Sequence, residues 1–175
     1  KPLILMTPKS LLRHKRVVSR LDAMAAGTSF HRLLWDDAQS KQGEKIRLRP
    51  DSEIRRVVLC TGKVYYDLYE GREAAGVDDV YLLRVEQLYP VPARALMGEL
   101  ARFSNAEVVW AQEEPRNMGG WGFIEGNLEW ILDHAQVKSK RPRYIGRPAS
   151  AATATGLASK HASEQKSIVE QVLAR

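Results

Sequence analysis

The stretch Gln112-Glu113-Glu114-Pro115-Arg116-Asn117-Met118-Gly119-Gly120-Trp121 concentrates more chemistry than any other part of this 175-residue chain. Two adjacent carboxylates beside an amide could move a proton. Neighbours in an extended strand face opposite ways, however, so Glu113 and Glu114 need not reach one site. An apolar anchor beside a polar loop fits a domain or subunit boundary instead. Gln112, Glu113, Glu114, Asn117 and Trp121 are therefore the candidate interface residues. Gly119 and Gly120 allow a tight turn before Trp121. Cys60 is the sole cysteine. It closes the run Val57-Val58-Leu59-Cys60, so a buried strand thiol is expected. No intrachain disulfide and no cysteine metal cluster can form, and a reducing compartment is the simplest context. His14, His31, His134 and His161 have no paired metal-ligand spacing and read as surface or core residues.

The elements that must position these residues follow from periodicity. Leu3–Met6, closed by Thr7-Pro8, reads as a buried strand. A Ser19-x-x-Asp22 box and Gly27 mark a short helix over Arg20–Ala26. Phe30–Trp35 reads as another strand, and 36–51 as an exposed loop. Strands are then expected at Arg56–Cys60, Val80–Val85, Glu107–Ala111 and Arg143–Ile145. Helices are expected at Lys63–Ala75, capped by Gly76, and from Pro92 onward through Leu96, Leu100 and Phe103. Ile124, Leu128, Ile131 and Ala135 stripe a further helix, and a last one runs from about Leu157 to Leu173. Alternating strands and helices predict an α/β fold: a doubly wound, mainly parallel sheet with helices on both faces. Ligand-facing loops in such sheets sit at the carboxyl ends of strands, which singles out Thr61-Gly62-Lys63, Glu86-Gln87-Leu88 and Gln112–Trp121.

Composition narrows the class. Hydrophobic residues are 44% of the chain, enough for one domain's core. No apolar run approaches the roughly 18 residues of a membrane span. The opening Lys1-Pro2-Leu3 lacks Met and reads as a cut within a longer chain. The net charge is +6, gathered around 9–20, 45–56 and 138–147. No nucleic-acid module accompanies those cations, so a solvated face or an acidic neighbour is the reading.

Five segments, in order, resemble one family. Gln-Glu-Glu-Pro-x-Asn-Met-Gly-x-Trp after a strand is similar to the C-terminal domain of thiamine-diphosphate enzymes of the 2-oxoacid dehydrogenase group. Thr7-Pro8-Lys9-Ser10-Leu11-Leu12-Arg13 resembles the start of that domain in 2-oxoglutarate dehydrogenase. Thr61–Leu68, Arg84–Pro90 and Arg143–Ser150 resemble the same family.

The resemblance implies that 1–175 is a single C-terminal domain of a larger multidomain chain, with a transketolase C-terminal domain-like fold. The full-length family decarboxylates 2-oxoglutarate in the tricarboxylic acid cycle and succinylates the lipoyl group of a succinyltransferase partner. It uses thiamine diphosphate and Mg²⁺, held by domains that precede this one. The Gly-Asp-Gly and Asn-Asn pattern of that site is missing here, so no catalytic, cofactor-binding or metal-binding residue is assigned. The implied partners are the preceding domains, a homodimer mate and the succinyltransferase, with neither nucleic acid nor membrane. The implied location is the cytoplasm of a bacterium or the mitochondrial matrix of a eukaryote. Relatives with a nucleotide or acyl-CoA effector site make Lys9, Ser10 and Arg13 a candidate phosphate site. Lys9 and Arg13 would share a face if the segment were helical. Two other readings stay open: a 2-oxoadipate dehydrogenase, and a basic interaction module without an enzymatic parent.

Overall fold

A computed structural model of the chain describes residues 1–40 and 45–175. Its contacts divide the chain into two compact units, Lys1–His31 and Arg32–Arg175. The two units are described separately.

In Lys1–His31 the only regular pieces are 3₁₀ turns at Lys9–Leu11 and Leu21–Met24. Leu3–Met6 forms no strand and is 73–94% exposed. An apolar tetrapeptide states a preference for burial, but a strand also needs an edge to pair with. The helix expected over Arg20–Ala26 shrinks to one turn. Ser19 makes no capping contact there, and Asp22 pairs instead with Arg20 at 3.0 Å.

Arg32–Arg175 carries the sheet. Its strands are β1 (Leu33–Leu34), β2 (Arg56–Cys60), β3 (Val80–Val85), β4 (Glu107–Pro115) and β5 (Arg143–Arg147). Its helices are α1 (Asp37–Ser40), α2 (Val64–Ala75), α3 (Ala93–Leu100), α4 (Trp121–His134) and α5 (Ala158–Leu173). The strand order is β1-β3-β2-β4-β5. Only β1 runs antiparallel, against β3. The expected doubly wound α/β sheet is present.

Burial of both faces explains why β2 reads as an unbroken apolar run rather than an alternating one. Val57 and Leu59 join the layer that includes Leu96 and Leu100 of α3 and Ile124, Leu128 and Ile131 of α4. Val58 and Cys60 join the opposite layer, with Leu68 of α2 and Ile168 and Val172 of α5. Helices α2 and α5 close tightly: a Cβ on Gly71 would collide with the Val169 side chain. Gly76 ends α2 in the left-handed region at φ 63°.

The loop expected over 36–51 is corrected in part. Residues 41–44 of it lie outside the described residues. Asp36 has no exposed surface and Ile46 is 9% exposed, while Asp37–Ser40 forms α1. Asp36 accepts hydrogen bonds from Leu82 N–H at 2.8 Å and from Arg72, and is ion-paired with it. A charged residue in a polar stretch reads as surface because its buried partner, Arg72, is remote in sequence.

Cys60 is fully buried, and that burial pushes its thiol up to about 12. A thiol with so little thiolate at neutral pH is inert. We expect Ellman's reagent at pH 8 to find no reactive thiol in the native chain, and one per chain in guanidinium. Prompt labelling of the native protein would contradict the buried position.

Candidate functional site

Connections from β2 lead to β3 on one side, and those from β4 lead to β5 on the other. The carboxyl ends of β2 and β4 therefore flank the point where the winding reverses, the usual ligand crevice of such sheets. Two of the stretches singled out above meet here: Thr61-Gly62-Lys63 and the loop after β4.

Gly62, at φ 69°, takes the chain off the end of β2. Lys63 then reaches across the crevice to Glu113 at 2.9 Å and back to Asp67 at 2.6 Å. Gln165 of α5 also donates to Asp67, at 2.7 Å. Burial works against the Lys63 charge. The hydrogen bonds to Asp67 and Glu113 outweigh it and hold the ammonium above its ordinary pKa. Glu113 is thus committed to an ion pair, a poor state for a general base. Beside it lies a cleft of about 510 Å³, lined among others by Glu113, Glu114, Arg147 and His161. Arg147 is itself held by Glu164 at 2.9 Å.

Gln112 is the hub of the loop. It is only 2% exposed. Its Oε1 accepts from Trp110 Nε1 at 2.9 Å and from the Trp121 backbone N–H at 3.0 Å. Its Nε2 donates to the carbonyls of Glu114, Pro115 and Met118 at 3.2, 3.1 and 2.8 Å. One amide therefore satisfies both ends of the turn and fixes the start of α4. Gly119 takes φ 65° within that turn. Asn117 extends the tie sideways: its Nδ2 donates to Ser150 O and its Oδ1 accepts from Ser150 N–H, both at 2.9 Å. Tyr144 donates to Arg147 O at 2.8 Å, and its hydroxyl occupies the space that a Cβ on Gly146 would need.

The expected interface set thus splits. Glu113, Glu114 and Asn117 lie at or near the surface. Gln112 and Trp121 are buried within the chain. Trp121 is 3% exposed and belongs to the core layer of α3 and α4. Its ring meets Tyr144 at 5.2 Å, with Arg116 at 6.0 Å from it. A tryptophan after a polar loop has the same sequence signature whether it anchors a partner or its own helix. Lys9, Ser10 and Arg13 are all exposed, on and just beyond the Lys9–Leu11 turn. The helix that would align Lys9 with Arg13 does not form, since a 3₁₀ turn aligns positions three apart.

A different surface escaped the sequence reading. Around the start of α3 and the outer side of α4, Tyr89 is 83% exposed, Trp130 52% and Phe123 47%. With Val91 they line a groove of about 360 Å³. The available signal was Gly122 and Gly126, which interrupt a strongly helical pattern. Each glycine inside a helix costs about 0.5–1 kcal/mol relative to alanine, so two of them four residues apart call for a reason.

The arrangement holds loops and offers surfaces. Among the described residues, no group of three or more His, Cys, Asp or Glu side chains could hold a metal ion. No helix of the described residues is long and apolar enough to cross a membrane.

A family model described as 2-oxoglutarate dehydrogenase C-terminal matches residues 18–173. The 2-oxoglutarate dehydrogenase E1 component of Brucella anthropi is 64% identical over 173 residues, covering 99% of this chain and 17% of that protein. Proteins of the same name from Brucella ovis and Brucella canis are each 63% identical over the same shares. The chain spans about 17% of the length of these curated relatives.

Proposed function

Because this chain belongs to the 2-oxoglutarate dehydrogenase C-terminal family, we propose that it is the supporting and assembly domain of an E1 component. In this reading the whole enzyme decarboxylates 2-oxoglutarate on thiamine diphosphate and passes the succinyl group to the lipoyl arm of a succinyltransferase. The observation that carries the proposal is identity of 64% across 99% of the chain to a protein of that name. Exposed apolar side chains at Leu3–Met6 and at Tyr89, Phe123 and Trp130 support the assembly role. Contiguous apolar surface of that kind marks contact with other protein.

The residues present do not fit the cofactor. A diphosphate with Mg²⁺ needs carboxylate or amide oxygens converging on one point, with cations free for the phosphates. At the crevice, Lys63 is engaged by Asp67 and Glu113, and Arg147 by Glu164. In this reading no catalytic step runs through these crevice residues, and the chain's part is to hold neighbouring domains in place.

The test is steady-state decarboxylation by the full-length enzyme with ferricyanide as electron acceptor. A kcat/KM for 2-oxoglutarate well above that for 2-oxoadipate is expected. Preference for 2-oxoadipate would assign the chain to the other dehydrogenase, and no activity on either acid would remove the enzymatic parent.

A further inference from the structure

Three serines stand three residues after an arginine: Ser19, Ser52 and Ser150. That spacing is read by protein kinases selective for basic substrates, because a cation three positions upstream meets their acidic cleft while the hydroxyl meets the phosphate. Such kinases take their substrates as extended, accessible backbone, so the structure sorts the three. Ser52 lies within the 3₁₀ turn Asp51–Glu53, directly after Pro50, and its upstream Arg49 is ion-paired with Asp78 at 2.9 Å. Ser150 is held by Asn117 through both its backbone N–H and its carbonyl. Its upstream Arg147 side chain is only 11% exposed and is paired with Glu164. Ser19 differs on each count. Residues 17–20 belong to no helix or strand, and all four are exposed. Arg20 is extended, at φ −74° and ψ 149°, and Ser19 caps no helix. Around Ser19 stand Arg13, Lys15, Arg16 and Arg20, with Asp22 the nearest acid in sequence.

We propose that Ser19 is a phosphorylation site for a serine kinase that selects upstream basic residues, with Lys15 and Arg16 as the cations it reads. In the transfer, the Ser19 hydroxyl oxygen attacks the γ-phosphorus of ATP, which the kinase holds with Mg²⁺. The new O–P bond forms as the bond from that phosphorus to the β,γ-bridging oxygen breaks. ADP leaves, and the hydroxyl proton passes to a carboxylate of the kinase. This chain supplies the accessible hydroxyl and the basic address, and the kinase supplies the chemistry. The product adds about −1.5 to −2 of charge to the stretch 13–22, whose charged residues are Arg13, Lys15, Arg16, Arg20 and Asp22. It also gives Arg20, now on Asp22 at 3.0 Å, a stronger competing acceptor. A basic surface segment is thereby made nearly neutral. The inference goes beyond the proposed function and does not rest on it.

The test incubates the native full-length enzyme with ATP, Mg²⁺ and, as the probe, the catalytic subunit of cyclic-AMP-dependent protein kinase, followed by peptide mapping in a mass spectrometer. Phosphate is expected on the peptide that contains Ser19, and Ser19→Ala should abolish it there. Melting temperature and circular dichroism of Ser19→Ala should match the wild type, because the residue is exposed and caps no helix. Arg16→Ala should lower kcat/KM for the transfer roughly ten-fold or more, the loss that follows from one charge-assisted contact. Absence of phosphate at Ser19 in the native enzyme would overturn the proposal. So would phosphate that appears there only after denaturation, since the segment would then be inaccessible in the folded enzyme. Labelling of Ser52 or Ser150 in preference to Ser19 would overturn it too, because backbone shape would not be what selects the site. Turnover of 2-oxoglutarate by the same sample reports separately on the proposed function.

Discussion

Asp36→Ala is expected to lower the folding stability of this chain by about 3–5 kcal/mol, the usual cost of stranding one partner of a buried ion pair. Neither Asp36 nor Arg72 has exposed side-chain surface. The Asp36 carboxylate also accepts the backbone N–H of Leu82 at 2.8 Å and of Ala38 at 2.9 Å. Arg72 donates in addition to Val80 O at 2.9 Å. The pair therefore ties the start of α1 to α2 and β3. Removing the carboxylate leaves a guanidinium without its counter-charge and two backbone donors without an acceptor. Guanidinium denaturation should show a lower midpoint at unchanged slope. The double change Asp36→Leu with Arg72→Leu should recover much of the loss, because buried pairs contribute little beyond their own desolvation. A single-variant loss below about 1 kcal/mol would contradict the burial of the pair.

Gln112→Ala is expected to cost about 3 kcal/mol, since each buried polar group left unpaired costs about 1–3 kcal/mol. Its amide serves two donors and three acceptors, and surrounding groups can recover only some of them. The loss should be local as well as global. Amide exchange should quicken at Trp121, whose N–H donates to Gln112. Near-ultraviolet dichroism should change too, because Trp110 loses its indole partner. Gln112→Glu should fare no better at neutral pH, since a carboxylate keeps the two acceptor contacts and sets negative charge against three carbonyls. A variant with wild-type stability and unchanged exchange at Trp121 would show that the amide is not the hub.

Periodicity made most of the sheet unit legible. The apolar run of β2, the stripe of α4 and the cap at Gly76 are local signals, and local signals survive into the fold. Contacts between distant residues were not legible. Asp36 reads as loop because Arg72 lies 36 positions away. Leu3–Met6 reads as a strand because composition records hydrophobicity and not the presence of an edge. In the candidate site the segment 112–121 was found, and its roles were only partly sorted. Glu113, Glu114 and Asn117 lie at or near the surface. Gln112 and Trp121 turn inward, since side-chain direction at a strand-to-helix corner depends on the turn itself. The outer face of α4 left a trace in two glycines, beside which the chain leaves open space.

The most direct test of the central claim is calorimetric titration of thiamine diphosphate with Mg²⁺ into this chain and, separately, into the full-length enzyme. Stoichiometric binding to the full-length enzyme is expected, with no measurable heat of binding to residues 1–175 alone. Tight one-to-one binding to the chain by itself would contradict a supporting role, because the cofactor site would then lie within residues 1–175.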